Sequence, residues 1–528
     1  MADPGCAEPS EEASGSGDGA RAAGPEGGDD ARDQRQQRLV KLDSLRASGV
    51  EPYPVRFDTT ATAGGIQAEF AGLEPGASTD RRVRVAGRIL LLRRQGKLSF
   101  ATLADRDGSI QLFVSQKTVG EEAHDAFDRL DRGDWVGVEG TVMTTRRGEL
   151  SINVETVRLL AKALRPLPEK WHGLSDVDTR YRQRYVDLVV NEDARRIAIA
   201  RIDIIAAIRR CLAERDFREV EGPVLQTIQG GATARPFTTH HNALGQDMYL
   251  RIALELHLKR LIVGGLDRVF EIGRVFRNEG VDTTHNPEFT MLEAYQAYGD
   301  YTEMMELVEA VVVAGAQAVD PNLAVNYMGH TIDLTPPFRR ATMTDLILEH
   351  TGATIHPSMT VAEARRVADE LDVECEPDWG AGRITMEVYD ARVEDALVQP
   401  TFVLDHPRET SPLARGHRDD DSLVERFELV VAGHELANAY SELNDPVEQL
   451  ARFEEEAAAK RRGDPEAGDI DLDYIRALEY GMPPTGGLGV GIDRLVMLLT
   501  GTPSIREVIL FPTLRPEPGM GGLGGPLD

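Results

Sequence analysis

Two arginines, each set in a segment suited to polyphosphate, are the residues of this chain best placed to do chemistry. Arg277 opens Arg277-Asn-Glu279-Gly-Val-Asp-Thr-Thr-His285-Asn286-Pro-Glu-Phe289, which adds a carboxylate and an aromatic ring. Arg494 closes Gly487-Leu-Gly489-Val-Gly491-Ile-Asp-Arg494. Together they suit a nucleoside triphosphate, held at its phosphates and at its base. Glycines 487, 489 and 491 run straight into the apolar stretch that contains Arg494. A glycine-rich strand feeding a helix lets a ligand approach the backbone closely. It also puts Arg494 near a helix start, where positive charge and free N–H groups favour phosphate. A lone GxGxG is usually a turn, a lone Arg-x-Glu a surface ion pair, and a lone histidine structural. The combined spacing carries the reading. Alternation on an extended segment points Arg277 and Glu279 to one face. An antiparallel hairpin would bring Arg277 near the phosphates and Phe289 under the base. Neither a dinucleotide GxGxxG nor a GxxxxGK[ST] phosphate loop occurs.

The elements that must position these residues follow from the patterning. Residues 184–512 read as a long mixed region, with helical periodicity at Ala194–Arg215, Ala253–Val263 and Tyr301–Ala318. Strand-like runs fall at Arg268–Ile272, Phe289–Tyr295, Phe427–Val431 and Asn438–Ser441. Val447–Arg462 reads as an acidic, alanine-rich surface helix, and residues 327–395 depart in composition like an insertion. Upstream, five short strand-like runs between Arg82 and Leu160, with a helical stretch near Glu121–Leu130, suit a small barrel of the OB type. Ala31–Leu45 reads as a short basic helix, and Arg165-Pro-Leu-Pro168 as part of a linker. No internal repeat is visible. The domain expectation is a disordered acidic tail at 1–36, an OB barrel at 37–164, a linker at 165–183, a catalytic domain at 184–515 and a disordered tail at 516–528.

The bulk numbers bound the class. With 528 residues, 41% hydrophobic and 28% charged, the chain reads as a soluble globular protein of several domains. No run of about 18 apolar residues predicts a transmembrane helix, and no signal peptide is visible, so the expected compartment is the cytoplasm. Cys6, Cys211 and Cys375 are far apart and form no CxxC pair, which predicts neither a disulfide framework nor a zinc site. The net charge of −29 looks hostile to nucleic acid. Binding depends on local patches, however, and Arg81, Arg82, Arg84, Arg88, Arg93, Arg94 and Lys97 gather on the expected barrel. Aromatics and arginines there suit single-stranded nucleic acid.

Taken together, these segments resemble those of the class II lysyl-tRNA synthetases of the bacterial type. Phe276 to Phe289 resembles the second class II motif, Gly487 to Arg494 the third, and Phe217-Arg-Glu-Val220-Glu-Gly-Pro223 the first, a dimer-interface element. The resemblance runs from about Gln37 to Pro516, in the order barrel, linker, catalytic domain. Neither HIGH nor KMSKS, the class I signatures, occurs. The implied fold class is α+β: an N-terminal five-stranded OB-fold β-barrel plus a catalytic domain built on an antiparallel β-sheet flanked by helices. The implied reaction activates L-lysine with ATP to lysyl-adenylate and pyrophosphate, then passes lysine to the 3′-end of tRNA(Lys), in a homodimer.

The resemblance also implies roles. Arg277 and Arg494 are the catalytic pair. Arg277 would grip the α-phosphate and the amino-acid carboxylate, while Arg494 would cover one face of adenine and Phe289 the other. Glu279 and Asn286 would fix the adenosine, and His285 the outer phosphates. Glu428 and Glu435 would hold Mg²⁺, a hard cation that prefers oxygen ligands, with Glu428 also counted to the ATP site; no zinc is expected. Glu255, Glu293 and Glu442 fall at lysine-pocket positions, with Gly231, Tyr295, Asn438 and Tyr440 beside them. A buried ammonium needs carboxylate partners, and several glutamates would repel the aspartate of a related Asp-specific enzyme. In the barrel, Phe100 would stack an anticodon base while Arg93, Gln111 and Glu149 read base edges. The chain departs from the family pattern at Asp216, often glycine, at His434, and at Tyr440, often phenylalanine. A truncated relative that modifies a translation factor lacks the barrel. A non-catalytic tRNA-binding paralogue would have lost ATP residues that are present here.

Overall fold

A computed structural model describes residues 28–168, 174, 176–232, 234–461 and 469–516, which fall into two compact units divided at His172/Gly173. In the first unit β1 (Ser78–Gln95), β2 (Leu98–Ala104), β3 (Ser109–Ser115), β4 (Trp135–Thr144) and β5 (Leu150–Ala161) close into a barrel in the order β1-β2-β3-β5-β4. Only the β3–β5 pair is parallel. Period-two alternation sends Val83, Val85, Ala101, Leu103, Ile110, Leu112 and Val114 inward, all buried. The helix Glu121–Asp128 joins β3 to β4 and seats Phe127 in the same core.

Three boundary expectations are corrected. The first 27 residues lie outside the described ones, but residues 28–36 are not a disordered tail. They belong to the helix Gly28–Ala47. This helix is tied down by Arg38, which donates to the carbonyls of Ala163, Arg165 and Arg132, and by Lys41, 2.5 Å from Asp131. The expected linker contains the helix Val177–Arg182, capped by Asp176. The expected insertion at 327–395 is not all inserted material. Its first part packs into the main core through Tyr327, Ile332, Leu334 and Phe338, and Arg339–Thr342 joins the main sheet. The helices Met343–Thr351, Val361–Glu370 and Ala381–Arg392 build a second core, closed against Val403 of β15 and Val430 of β16. The C-terminal tail after residue 516 lies outside the described residues.

The second unit contains β6 (Arg218–Glu219), β7 (Leu225–Gln226), β8 (Thr238–His241), β9 (Gln246–Leu250), β10 (Arg268–Phe276), β11 (Glu288–Ala297), β12 (Ala324–Tyr327), β13 (His330–Asp333), β14 (Arg339–Thr342), β15 (Thr401–Leu404), β16 (Arg426–Val431), β17 (His434–Ser441) and β18 (Thr485–Gly491). Eight of them form one sheet in the order β14-β15-β16-β17-β18-β11-β10-β6. Its six central strands are antiparallel, and only the edge pairs, β14 with β15 and β6 with β10, are parallel. On one face Leu292, Ala294, Ala437, Ala439, Leu488 and Val490 join the core formed with the helices Glu192–Ala213, Tyr301–Gln317 and Ile492–Thr500. The alternate residues of the same strands face the other way. Asp216, at the turn before β6, has φ of 64°. That left-handed conformation is one glycine adopts freely and aspartate tolerates.

Candidate active site

The opposite face of the sheet floors a cleft of about 470 Å³. Every catalytic-unit residue singled out from the sequence lines it except Glu442: Gly231, Glu255, Arg277, Glu279, His285, Asn286, Phe289, Glu293, Tyr295, Glu428, Glu435, Asn438, Tyr440 and Arg494. Strand register accounts for this convergence. Glu293 on β11 pairs with Gly489 on β18, Gly489 with Asn438 on β17, and Asn438 with Glu428 on β16. One step along, Tyr295, Gly487, Tyr440 and Arg426 form a second transverse row. Gly489 leaves the middle of the first row open, while at Gly487 the place of a side chain is taken by the Glu442 carboxylate and the Tyr295 ring.

Glu435 reaches the cleft by a different route. Leu429 pairs with Ala437 but Val430 with Glu435, so Leu436 is an extra residue on β17. Such a bulge shifts the alternation by one. Leu436 and Ala437 both enter the core, and Glu435 turns to the cleft side with Glu428. Burial and the neighbouring Glu428 carboxylate push Glu435 above the usual carboxylate range. Arg426 lies 2.6 Å from Glu428, and Arg494 3.8 Å from Glu435.

At the hairpin end, β10 and β11 pair from Arg268↔Gln296 to Phe276↔Glu288, and the Arg277 N–H donates to Pro287 O (2.9 Å). The Arg277 guanidinium lies 5.2 Å from the Phe289 ring centroid, and its buried Nε has no hydrogen-bond partner among the described residues. Asn286 is buried, with its amide donating to Glu288 O and accepting from the Thr513 N–H. His285, exposed at the mouth, pairs with Asp282 at 2.9 Å. Glu279 is also exposed. Arg494, in the first turn of Ile492–Thr500, donates to Glu435 O at 2.8 Å. Gly231 has φ of 87° and packs beside Ala253 and Glu255.

The other end of the cleft is acidic and aromatic. Glu293 accepts from the Leu254 N–H (2.9 Å) and the Tyr295 hydroxyl (3.0 Å), and Glu255 from the Tyr440 hydroxyl (3.0 Å). Burial and then the proximity of Glu255 push Glu293 up to about 7. Glu442 differs from the expectation. It is not among the cleft-lining residues but is fully buried on the same side of the sheet, its Oε1 standing where a Cβ on Gly487 would lie. There it forms an ion pair with Lys259.

Sequence reasoning missed three anchoring residues. Arg426 holds Glu428 and Asn438, and its place two residues before Glu428 put both on one strand face. Lys259 stands four residues after Glu255, the spacing of a helical ion pair. Asp493 sits inside the third motif yet accepts from Arg201 and from the Thr290 N–H. No local pattern announced the Arg201 partnership.

A magnesium ion can be tested against this donor set. Among the described residues no group of three or more His, Cys, Asp or Glu is set to hold a metal. Glu428 and Glu435 supply two carboxylates whose mutual repulsion a divalent cation relieves. Mg²⁺ characteristically takes one or two carboxylates and completes its octahedron with substrate phosphates and water. The pair therefore fits a magnesium that arrives with a triphosphate.

In the barrel, Phe100 does not join the core. It stands on the outer face, edge-on to Phe113 at 5.4 Å, and pairs across strands with Arg93. Gln111 also faces outward and donates to Ser151 Oγ (2.9 Å), while Glu149 is exposed in the β4–β5 turn.

Comparison with known proteins adds three findings. Residues 176–515 match the family model for tRNA synthetases class II (D, K and N), and residues 83–160 match the OB-fold nucleic acid binding domain. The chain is 53% identical over 480 residues to a lysine–tRNA ligase of Moorella thermoacetica, covering 91% of this chain and 97% of that one. It is 52% identical to the lysine–tRNA ligase of Trichormus variabilis (92% and 88% covered) and 50% identical to that of Enterococcus faecalis (92% and 98% covered).

Proposed function

The chain belongs to the class II tRNA synthetases of the D, K and N group, and from that membership we propose that it is the lysine-specific type, joining L-lysine to tRNA(Lys) at the expense of ATP. One observation carries the choice of amino acid: the inner end of the cleft is built from glutamates and tyrosine hydroxyls. That suits an ammonium and opposes the carboxylate of aspartate. Relatives named lysine–tRNA ligases at about half identity support the same choice.

In this reading ATP lies across the hairpin. Arg277 takes the α-phosphate and the lysine carboxylate through its Nε edge, unpartnered among the described residues. Adenine stacks between Phe289 and Arg494, with Glu279 and Asn286 fixing the adenosine and His285 the outer phosphates. Glu255 and Glu293 receive the ammonium groups of lysine between Tyr295 and Tyr440. Asn438 and Gly231 shape the walls, and Glu442 backs the inner end. The lysine carboxylate attacks the α-phosphorus in line, and pyrophosphate leaves. No protein nucleophile takes part; positioning and charge neutralisation lower the barrier. Glu428 and Glu435 hold magnesium, which supplies neutralisation of the phosphate oxygens when bound.

The barrel is assigned to the anticodon, with Phe100 as a stacking platform and Arg93, Gln111 and Glu149 as edge readers. A homodimer is also proposed. The first-motif region leaves Ile199, Ile202, Val224 and Leu225 exposed, a surface that a second copy would cover. The compartment is proposed to be the cytoplasm; among the described residues no helix is long and apolar enough to cross a membrane.

ATP–pyrophosphate exchange with lysine, arginine, ornithine, aspartate and asparagine offered in turn tests the proposal. Exchange driven chiefly by lysine is expected. Exchange driven by aspartate or asparagine would overturn the specificity. A folded protein that binds tRNA but exchanges with none of them would be a non-catalytic paralogue.

A further inference from the structure

Lys259 is the most enclosed cation of the second unit's described residues that the mechanism above leaves unused. It is fully buried, on the helix Glu255–Val263. Its Nζ lies 2.5 Å from Glu255 Oε1 and in contact with Glu442 Oε2. It also sits between two aromatic walls, 5.7 Å from the Tyr440 ring centroid and 6.0 Å from that of Tyr295. Among the described residues no hydrogen-bond donor other than this cation reaches either oxygen of Glu442.

We propose that Lys259 is a positioning and specificity residue of the lysine pocket: its ammonium fixes the carboxylates of Glu255 and Glu442 and sets the pocket's charge to match a ligand carrying two ammonium groups. The proposal rests on the lysine-specific reading. When all three are ionised, Glu255, Glu293 and Glu442 bring three negative charges, of which Lys259 offsets one; burial pushes the Glu293 and Glu442 carboxyls up, so an arriving dication completes their ionisation. The two that remain equal the α- and ε-ammonium groups of free lysine, whose carboxylate faces Arg277. A monoammonium ligand leaves one buried charge unmatched, which is costly.

The geometry also separates the duties of the three glutamates. Both Glu255 oxygens are already engaged, one by Lys259 and one by the Tyr440 hydroxyl. Their direction is fixed before a ligand arrives. Preorganised partners raise affinity by removing ordering costs. Burial alone would lower Lys259, but the two glutamates hold it well above its usual value, so it stays charged. It also acts on Glu293. Burial and Glu255 raise that carboxyl, while the Leu254 N–H, the Tyr295 hydroxyl and the Lys259 charge oppose the rise. The other titratable groups nearby are Tyr440 from β17, Glu442 just past its end, Tyr474 from the helix Leu472–Glu479, and Arg277. Without the Lys259 charge, Glu293 would ionise only at higher pH.

The test is lysine-dependent ATP–pyrophosphate exchange by the full chain across pH 6.5–8.5, for the unaltered protein, K259M, K259Q and K259R. The neutral variants should raise the KM for lysine about tenfold or more at pH 7, keep the KM for ATP within about twofold, and recover lysine affinity as pH rises. K259R keeps the charge, so its lysine KM should follow the unaltered protein's pH profile. Should the methionine variant fail to fold, the glutamine variant, which retains donors to both carboxylates, carries the same readout. A lysine KM within about twofold of the unaltered protein at every pH would overturn the proposal. So would a pH-independent loss shared equally by lysine and ATP, the mark of a merely structural role. If the unaltered protein shows no exchange with lysine at all, it is the functional reading that fails.

Discussion

Arg201 and Asp493, 292 residues apart in sequence, form a buried ion pair of 2.6 Å that joins the third motif to the helix Glu192–Ala213. The other oxygen of Asp493 accepts from the Thr290 N–H at 2.6 Å, and Arg201 also donates to Thr290 Oγ1. The helix that begins beside Arg494 is thereby fixed to the strand that carries Glu293. Breaking a buried pair by removing one partner costs about 3–5 kcal/mol. Asp493→Ala should therefore lower the unfolding free energy by about that amount, seen as an earlier midpoint in urea. An unchanged midpoint would show that the pair does not hold these elements together.

The acidic end of the cleft makes a sharper prediction. Glu293→Gln keeps the shape and one acceptor oxygen but removes a buried charge that would face the ammonium. Lysine activation should fall by on the order of a hundredfold to a few thousandfold, while ATP binding stays measurable. Near-normal activation would remove Glu293 from the pocket.

Glu293 also sets a pH dependence. Its carboxyl is raised to about 7, by burial first and Glu255 second. In the empty protein it holds a proton that the unfolded chain has released, so its contribution to stability falls as pH rises through about 7. An arriving ammonium needs the ionised form. The KM for lysine should therefore decrease between pH 6 and 8, and lysine binding should release a proton. Calorimetry in buffers of different ionisation enthalpy reads that proton directly, and binding without release would refute the assignment.

Gly487 lacks a side chain for a steric reason. A Cβ there would overlap Glu442 Oε1 and meet the Tyr295 ring at 2.6 Å. Gly487→Ala should raise the KM for lysine by tenfold or more and leave the KM for ATP less affected. Equal loss for both substrates would point to general damage of the sheet.

The barrel can be tested separately. Stacking of a base on an aromatic ring contributes about 1–3 kcal/mol. Phe100→Ala should weaken tRNA charging through the KM for tRNA by roughly five- to 150-fold on that scale, and leave lysine-dependent pyrophosphate exchange unaltered. A tRNA KM that does not move would place the stacking base elsewhere.

Much of this was legible before the fold. The segment around Arg277, Glu279, His285 and Phe289 specified a hairpin, because strand patterning on either side of a turn is a local property of the backbone. The glycines at 487, 489 and 491 specified a bare strand running into a helix for the same reason. Boundaries were less legible. The helix Gly28–Ala47 is held by Arg38 and Lys41 across the barrel unit, and residues 327–342 rejoin the main core rather than the insertion. Both depend on partners distant in sequence.

Three decisions belonged to the tertiary structure alone. Register across β11, β18, β17 and β16 set Glu293, Gly489, Asn438 and Glu428 in one row, and register is a relation between strands that no single segment contains. The bulge at Leu436 turned Glu435 to the side of Glu428. Without that extra residue, alternation would send the glutamate into the helix-covered core. Last, Lys259 joined Glu255, on its own helix, to Glu442, just past the end of β17. The sequence by itself determined which charges the site would contain and which short segments would carry them. How those charges pair depends on distances of a few ångströms between chain segments as far as 292 residues apart, and only packing sets those distances.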